Sequence, residues 1–134
     1  MGNFDMVPRN LILCVDDEPT LLQTFPIGLR RAGFRVAVAG NGAAGLEAFA
    51  RLKDEVCLVL SDIIMPMMNG IEMADRILRV EPATKILLMS GYGDEVIGRK
   101  VRKRFPLIRK PFNYGALVEK IRSIVRVEEE VLAD

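Results

Sequence analysis

The sequence predicts a doubly wound α/β domain, a parallel sheet with helices on both faces, and three observations predict it. Apolar runs alternate with segments of helical period along the whole chain, in five strand-helix pairs. The runs Leu11-Ile12-Leu13-Cys14-Val15 and Val56-Cys57-Leu58-Val59-Leu60 lack period-two alternation, as do strands covered on both faces. These runs stop abruptly at acidic or polar residues, in the position where such sheets hold ligands, outside the carboxyl ends of their strands.

Residues 1–9 read as a flexible leader to a domain at 10–134. Leu11 to Val15 is a first strand running into Asp16-Asp17-Glu18-Pro19. Pro19 suits a first helical turn, and Leu21, Leu22, Phe25 and Leu29 repeat at helical spacing. A helix is therefore expected from about Pro19 to Ala32, stopped by Gly33. Pro26 lies inside it and lacks a backbone donor, which predicts a kink or a broken turn.

Phe34 to Ala39 is a second strand. Gly40-Asn41-Gly42 turns the chain into a helix whose contacts are Ala44, Leu46, Ala48, Phe49 and Leu52. The run Gly40 to Gly45 matches G-x-G-x-x-G between a strand and a helix, and Asp62 falls about 20 residues on, where a ribose-binding acid is sought. This supports an alternative reading, a nucleotide-binding doubly wound domain using the Gly40–Gly45 turn. Against it, the match falls in the second strand-helix unit and leaves Asp16 and Asp17 unexplained. Small residues for close helix packing are the simpler account.

The third strand, from Val56, ends at Asp62, and the proline-bearing loop after it leads through Asn69-Gly70 into a helix, Ile71 to Val80, stopped by Glu81-Pro82. Lys85 to Met89 is a fourth strand ending at Ser90-Gly91-Tyr92-Gly93. A fourth helix is expected from Asp94 to about Arg104. Its cations Arg99, Lys100, Arg102, Lys103 and Arg104 surround it as a solvated face would, or serve as a docking surface for an acidic partner. Leu107-Ile108 is a short strand leading to Lys110-Pro111-Phe112. The last helix runs from Asn113 to about Val131, with Leu117, Ile121, Ile124 and Val125 inside.

A chain of 134 residues is long enough for one core without metal or disulfides. Its 19 Lys and Arg against 18 Asp and Glu give a net charge of +1, so no global field marks a nucleic-acid or polybasic membrane binder. Cys14 and Cys57 lie in apolar strands without metal-site spacing, and point to a reducing compartment. No apolar run is long enough to span a bilayer and no secretion signal opens the chain, so a cytoplasmic protein is expected. There is no histidine. A phosphohistidine donor, or an imidazole base, would have to come from another molecule.

The strand ends bring Asp16, Asp17, Asp62, Ser90 and Lys110 to one edge. Three carboxylates about 5 Å apart repel by about 3 kcal/mol per pair at an effective dielectric of ~20. A divalent cation relieves this, and a set of carboxylate oxygens without imidazole or thiolate suits Mg²⁺. An Asp held rigidly at a strand end is able to act as a nucleophile on phosphorus. Lys110 adds a positive charge and Ser90 a hydroxyl donor for phosphoryl oxygens. A phosphohydrolase built on an Asp nucleophile is disfavoured, because such enzymes usually need a second acid two residues on, and that position is Ile64.

These residues and their spacing resemble the receiver domain of response regulators in two-component and phosphorelay signalling, over about Asn10 to Val127. The resemblance implies a flavodoxin-like fold of five parallel strands in the order 2-1-3-4-5 with five helices. It implies Mg²⁺ held directly by Asp17, through water by Asp16, and by Asp62 and the backbone carbonyl of Ile64. It implies Asp62 as phosphoacceptor, Ser90 as switch hydroxyl, and Lys110 as the family's lysine, with a cis Lys110-Pro111 bond; Pro66 and Gly70 fit the loop after the acceptor. The implied partners are a histidine kinase or histidine phosphotransfer protein and a downstream protein target; the charge balance adds the expectation of no nucleic acid. The implied activity is promotion of the domain's own phosphorylation and dephosphorylation, not stand-alone turnover. Three features depart from the usual pattern. Leu107 stands where an aromatic is common, the segment from Ser90 to Lys110 is about two residues short, and Ile64 is apolar where many relatives carry a polar side chain.

Overall fold

A computed structural model describes residues 9–91 and 99–133. Strands β1 (Leu11–Val15), β2 (Arg35–Ala39), β3 (Val56–Asp62), β4 (Ile86–Ser90) and β5 (Leu107–Arg109) form a single five-stranded sheet in the order β2-β1-β3-β4-β5. Every neighbouring pair is parallel. Helices α1 (Pro19–Arg30), α2 (Gly42–Leu52) and α3 (Gly70–Val80) follow β1, β2 and β3. Residues 99–101 are helical and form the described end of α4, whose expected start lies outside the described residues. Helix α5 (Tyr114–Ala133) closes the fold. The architecture is the flavodoxin-like one expected.

Successive strand residues feed opposite layers. Leu11, Leu13, Val15, Val59 and Leu88 pack with Phe49, Met73 and Ile77 on the α2 and α3 side. Ile12, Cys14, Leu58, Leu60, Leu87 and Met89 pack with Phe25, Leu29, Leu117 and Ile121 on the α1 and α5 side. Both faces being covered, neither parity of the strand is free to be polar, hence the unbroken apolar runs. The two clusters share no side chain, so Ile77→Val and Ile121→Val should cost about 0.5–1.5 kcal/mol each. In the double variant these costs should add to within about 0.5 kcal/mol. Urea titrations of the two single variants and the double check this; a larger coupling would mean the layers sense each other through the sheet.

One irregularity interrupts β3. Leu11 lies opposite Val56 and Ile12 opposite Leu58, so Cys57 is an extra residue in a bulge. The bulge resets the alternation, putting Val56 in the same layer as Val59, and leaves Cys57 partly buried while Cys14 is fully buried. Neither cysteine is in a disulfide, and burial, with the negative charge of Asp16, pushes the Cys14 thiol far up.

Helix α1 is continuous through Pro26, so of the two outcomes expected there, a kink or a broken turn, the broken turn does not occur. Phe25 and Leu29, both 0% exposed, anchor the turns on either side, so packing outweighs the missing donor. The helix ends at Arg30, and Gly33, at φ 95°, turns the chain toward β2 while Phe34 donates its amide to the Leu29 carbonyl at 3.2 Å.

The Gly40–Gly45 turn is built for packing. Asn41 caps α2, its side chain accepting from the Ala44 amide at 2.8 Å. A Cβ on Gly42 would meet Met68 Sδ at 2.8 Å, and one on Gly45 would meet Met73 Sδ at 2.7 Å and Val15 Cγ2 at 3.0 Å. The glycines admit neighbouring side chains, which removes the reason to assign them to a pyrophosphate. Among the described residues no helix is long and apolar enough to cross a membrane.

Candidate functional site

Parallel pairing carries the site residues to one edge. Val15 lies opposite Ser61, so Asp16 and Asp62 each follow immediately on adjacent strands. The ladder continues beyond the strands: Asp16 donates its amide to the Ala39 carbonyl at 3.1 Å, Ile63 to Met89 at 3.0 Å, and Lys110 to Ser90 at 2.8 Å. Ser90 ends β4, nearly buried, and pairs with Arg109, which brings Lys110 alongside. The Lys110-Pro111 bond is cis. Ligand-capable oxygens of Asp16, Asp17 and Asp62 lie within 4.8 Å of one another.

Lys110 is the cation among these acids. Its Nζ lies 2.8 Å from Asp16 Oδ2 and 3.3 Å from Asp62 Oδ2. Asp16 is 0% exposed, and its other oxygen, Oδ1, accepts the Glu18 amide at 2.9 Å. Both oxygens of Asp16 are thus engaged, whereas Asp17 is exposed. Burial pushes the Asp62 carboxyl up to about 6; Lys110 pulls it down, while Asp16 and Asp17 push it further up. For Lys110, burial works to lower the pKa, but hydrogen bonds and charge from Asp16 and Asp62 outweigh it and hold the ammonium above its ordinary value.

The loop after Asp62 is tied to the strand end. Gly70 donates its amide to the Ile63 carbonyl at 2.8 Å, and the Ser61 hydroxyl donates to the Asp62 carbonyl at 2.9 Å. The next carbonyl, that of Ile64, accepts no hydrogen bond among the described residues. Asn69 and Glu72 form a reciprocal capping box at the start of α3. Met67 adopts φ 71° and is fully exposed beside Ile64, which is 48% exposed.

All five acidic, hydroxyl and lysine positions expected at the edge are there, and the Ile64 carbonyl stands next to them in the chain. Sequence reasoning missed three contributors: the Glu18 amide, the Ser61 hydroxyl and the close seat of Gly70 under the Asp62 carbonyl. Ser61 alone left a trace, as the single hydroxyl in an otherwise apolar run. Leu107 is half-buried against the α2 and α3 layer. Of the basic run, Arg104 pairs with Asp75 at 2.5 Å and lies over the Phe105 ring, while Arg99, Lys100, Arg102 and Lys103 are exposed. Tyr92 lies outside the described residues.

The site is a set of three carboxylates, a lysine and a hydroxyl at the carboxyl edge of a five-stranded doubly wound sheet, and comparison with known proteins gives its family. The profile of the response regulator receiver domain matches residues 12–122. The chain is 36% identical over 122 residues to the transcriptional activator protein PfeR of Pseudomonas aeruginosa, covering 90% of this chain and 39% of that protein. It is 34% identical over 128 residues to the DNA-binding response regulator MtrA of Mycolicibacterium smegmatis, covering 94% of this chain and 55% of that protein. A response regulator receiver domain protein from Clostridium thermocellum superposes with a TM-score of 0.84 at 25% identity, over 90% of this chain and 98% of that one. The chain belongs to the response regulator receiver domain family, whose members are signalling modules of two-component systems. It spans about two fifths to a little over half the length of the two curated relatives.

Proposed function

We propose that this receiver domain accepts a phosphoryl group on Asp62 from the phosphohistidine of a histidine kinase or histidine phosphotransfer protein, with Mg²⁺, and that phosphorylation changes its binding to a downstream protein. The observation that carries this is the placement of Lys110 Nζ between two carboxylates at the sheet edge, one of them the partly accessible Asp62. A carboxylate oxygen of Asp62 forms the new bond to phosphorus as the bond to the donor's imidazole nitrogen breaks. Lys110 and Ser90 face the phosphoryl oxygens, the lysine by charge and the serine by its hydroxyl.

The donor set fits Mg²⁺: oxygen ligands converge from Asp16, Asp17 and Asp62, in a chain without histidine. Bound there, the ion offsets the negative charge of the acids and of the incoming phosphoryl group. With both its oxygens engaged, Asp16 suits a water-mediated role, and exposed Asp17 a direct one. The uncommitted Ile64 carbonyl suits a ligand as well. On this reading the domain promotes its own phosphorylation and dephosphorylation and is not a turnover enzyme.

The domain is proposed to comprise 10–134, with 1–9 as leader. Cysteines outside any disulfide favour a cytoplasmic setting. The names of PfeR and MtrA describe a transcriptional activator and a DNA-binding regulator, so they do not support the expectation that nucleic acid is no partner. Incubation with a small acyl phosphate and Mg²⁺, followed by intact-mass measurement, tests the proposal: one phosphoryl group should be gained, and none without the metal.

Ile64 bears on how long that group lasts. Hydrolysis needs a water placed in line with the phosphorus, and a half-exposed isoleucine two residues past the acceptor offers it no hydrogen bond. Ile64→Asn should shorten the life of phospho-Asp62 about tenfold, a barrier change of only about 1.4 kcal/mol. Dephosphorylation rates in Mg²⁺ check this; an equal or slower rate in the variant would show that Ile64 does not exclude water.

A further inference from the structure

At the edge of the sheet opposite Asp62, where β3 and β4 begin, lies a cavity of about 120 Å³. Arg9, just before β1, Lys53, just after α2, and Lys85, just before β4, all line it. One acid, Glu81, also lines it. Three cations elsewhere in this chain are in ion pairs, Arg35 with Glu55, Arg104 with Asp75, and Lys110 with Asp16 and Asp62, while most others among the described residues are unpaired on the open surface rather than gathered at one cavity. Among the described residues, Arg9, Lys53 and Lys85 have no ion pair. Both lysines are half-buried. The Thr84 hydroxyl donates to the Glu81 carbonyl at 2.8 Å and so presents no proton to the cavity.

Three separate elements thus bring three unmatched cations to one small space. From this convergence we infer that the cavity binds a small soluble phosphate anion, inorganic or the terminal group of a small phosphate ester. Two ammonium groups and a guanidinium supply charge-assisted donors suited to tetrahedral oxyanions. The volume admits a phosphate or a pyrophosphate and excludes a nucleotide lying wholly inside. The site is the far edge of the sheet from Asp62 and needs neither Mg²⁺ nor the phosphoacceptor.

The bulge supplies its own reporter. Cys57 lines the cavity and is partly buried, whereas Cys14 is 0% exposed. In the native protein, therefore, a neutral alkylating reagent such as iodoacetamide reacts at Cys57. The test follows that reaction by peptide mass spectrometry in EDTA, which keeps the carboxylate edge free of metal, while orthophosphate or pyrophosphate is titrated at ionic strength matched with KCl. Alkylation should slow at least about fivefold at saturation. Half-protection should move at least about tenfold higher in Lys85→Glu and in Lys53→Glu, and stay unchanged in Arg102→Glu, an exposed cation elsewhere. Circular dichroism identifies a variant that fails to fold, and the other then stands in its place. Absence of protection by either anion would overturn the inference, as would equal protection in all three variants. Protection by anionic phospholipid vesicles but by neither soluble anion would replace it with a lipid-surface contact.

Discussion

Asp62→Asn is expected to take up no phosphoryl group from a small acyl phosphate, while folding in metal-free buffer more stably than the parent chain. The loss follows from chemistry, since an amide oxygen is a poor nucleophile toward phosphorus and the other acids at the edge are differently committed. Asp16 holds Lys110 and the Glu18 amide. Asp17→Ala keeps the acceptor but removes the exposed carboxylate of the cluster, so labelling should fall by about tenfold or more, equivalent to about 1.4 kcal/mol or more in the barrier. The gain in stability follows from the folded carboxyl's being raised from 3.8 to about 6, by burial first and then by Asp16 and Asp17 against the opposing pull of Lys110. Folding therefore favours the protonated form. That contribution is fully present below about pH 4 and is lost as the pH rises through about 6. At neutral pH the ionised group costs on the order of 1–3 kcal/mol, which a neutral amide does not. Urea denaturation in EDTA should show the parent losing stability across this window and the variant losing less. Labelling of Asp62→Asn at the parental level would place the acceptor elsewhere, and the stability readout separates a lost acceptor from a lost fold.

Gly70→Ala is expected to cost about 2–3 kcal/mol of stability, toward the upper end for overpacking. A Cβ there would run into the carbonyl oxygen of Asp62, with Asp62 C at 3.1 Å and Ile63 Cα at 3.2 Å. Every one of these neighbours is backbone, and the Gly70 amide is already tied to the Ile63 carbonyl. Nothing flexible can yield, so the first turn of α3 or the end of β3 must shift, and the Asp62 side chain with it. Gly115→Ala is the control. Its Cβ would meet only the Asn113 side-chain oxygen, at 3.2 Å, and should change stability by less than about 0.5 kcal/mol. Denaturant midpoints at constant m check both. Equal midpoints would mean that the loop after Asp62 has slack not evident in its geometry.

The strand ends were legible because a parallel, two-sided strand announces itself by continuous apolar residues, and the first polar residue after it marks the edge. Asp16 and Ser90 follow their runs directly, and Asp62 and Lys110 stand one residue further on, after Ser61 and Arg109. What remained hidden depends on relations between distant segments. The bulge at Cys57 is a mismatch between β1 and β3, and no local pattern records it. Gly42 and Gly45 fit a phosphate-loop pattern just as well as a packing role until Met68 and Met73 are seen against them. Pro26 obeys its local rule in isolation, and tertiary burial of Phe25 and Leu29 overrides it. The Glu18 amide and the Ser61 hydroxyl act through direction, which residue type alone does not specify.

The sheet is also a wall. Its two layers of buried side chains form separate clusters, and the carboxyl edge is a place that borders both. Asp62 stands there at the end of the central strand. One side of it continues through Ile63 and Gly70 into α3, and the other meets Lys110, whose cis bond to Pro111 leads toward α5. A change of charge at this single carboxylate is therefore linked to one side of the wall by the chain and the Gly70–Ile63 hydrogen bond, and to the other by the ion pair with Lys110. Two readers, one on each side, could follow the same event without standing in each other's way.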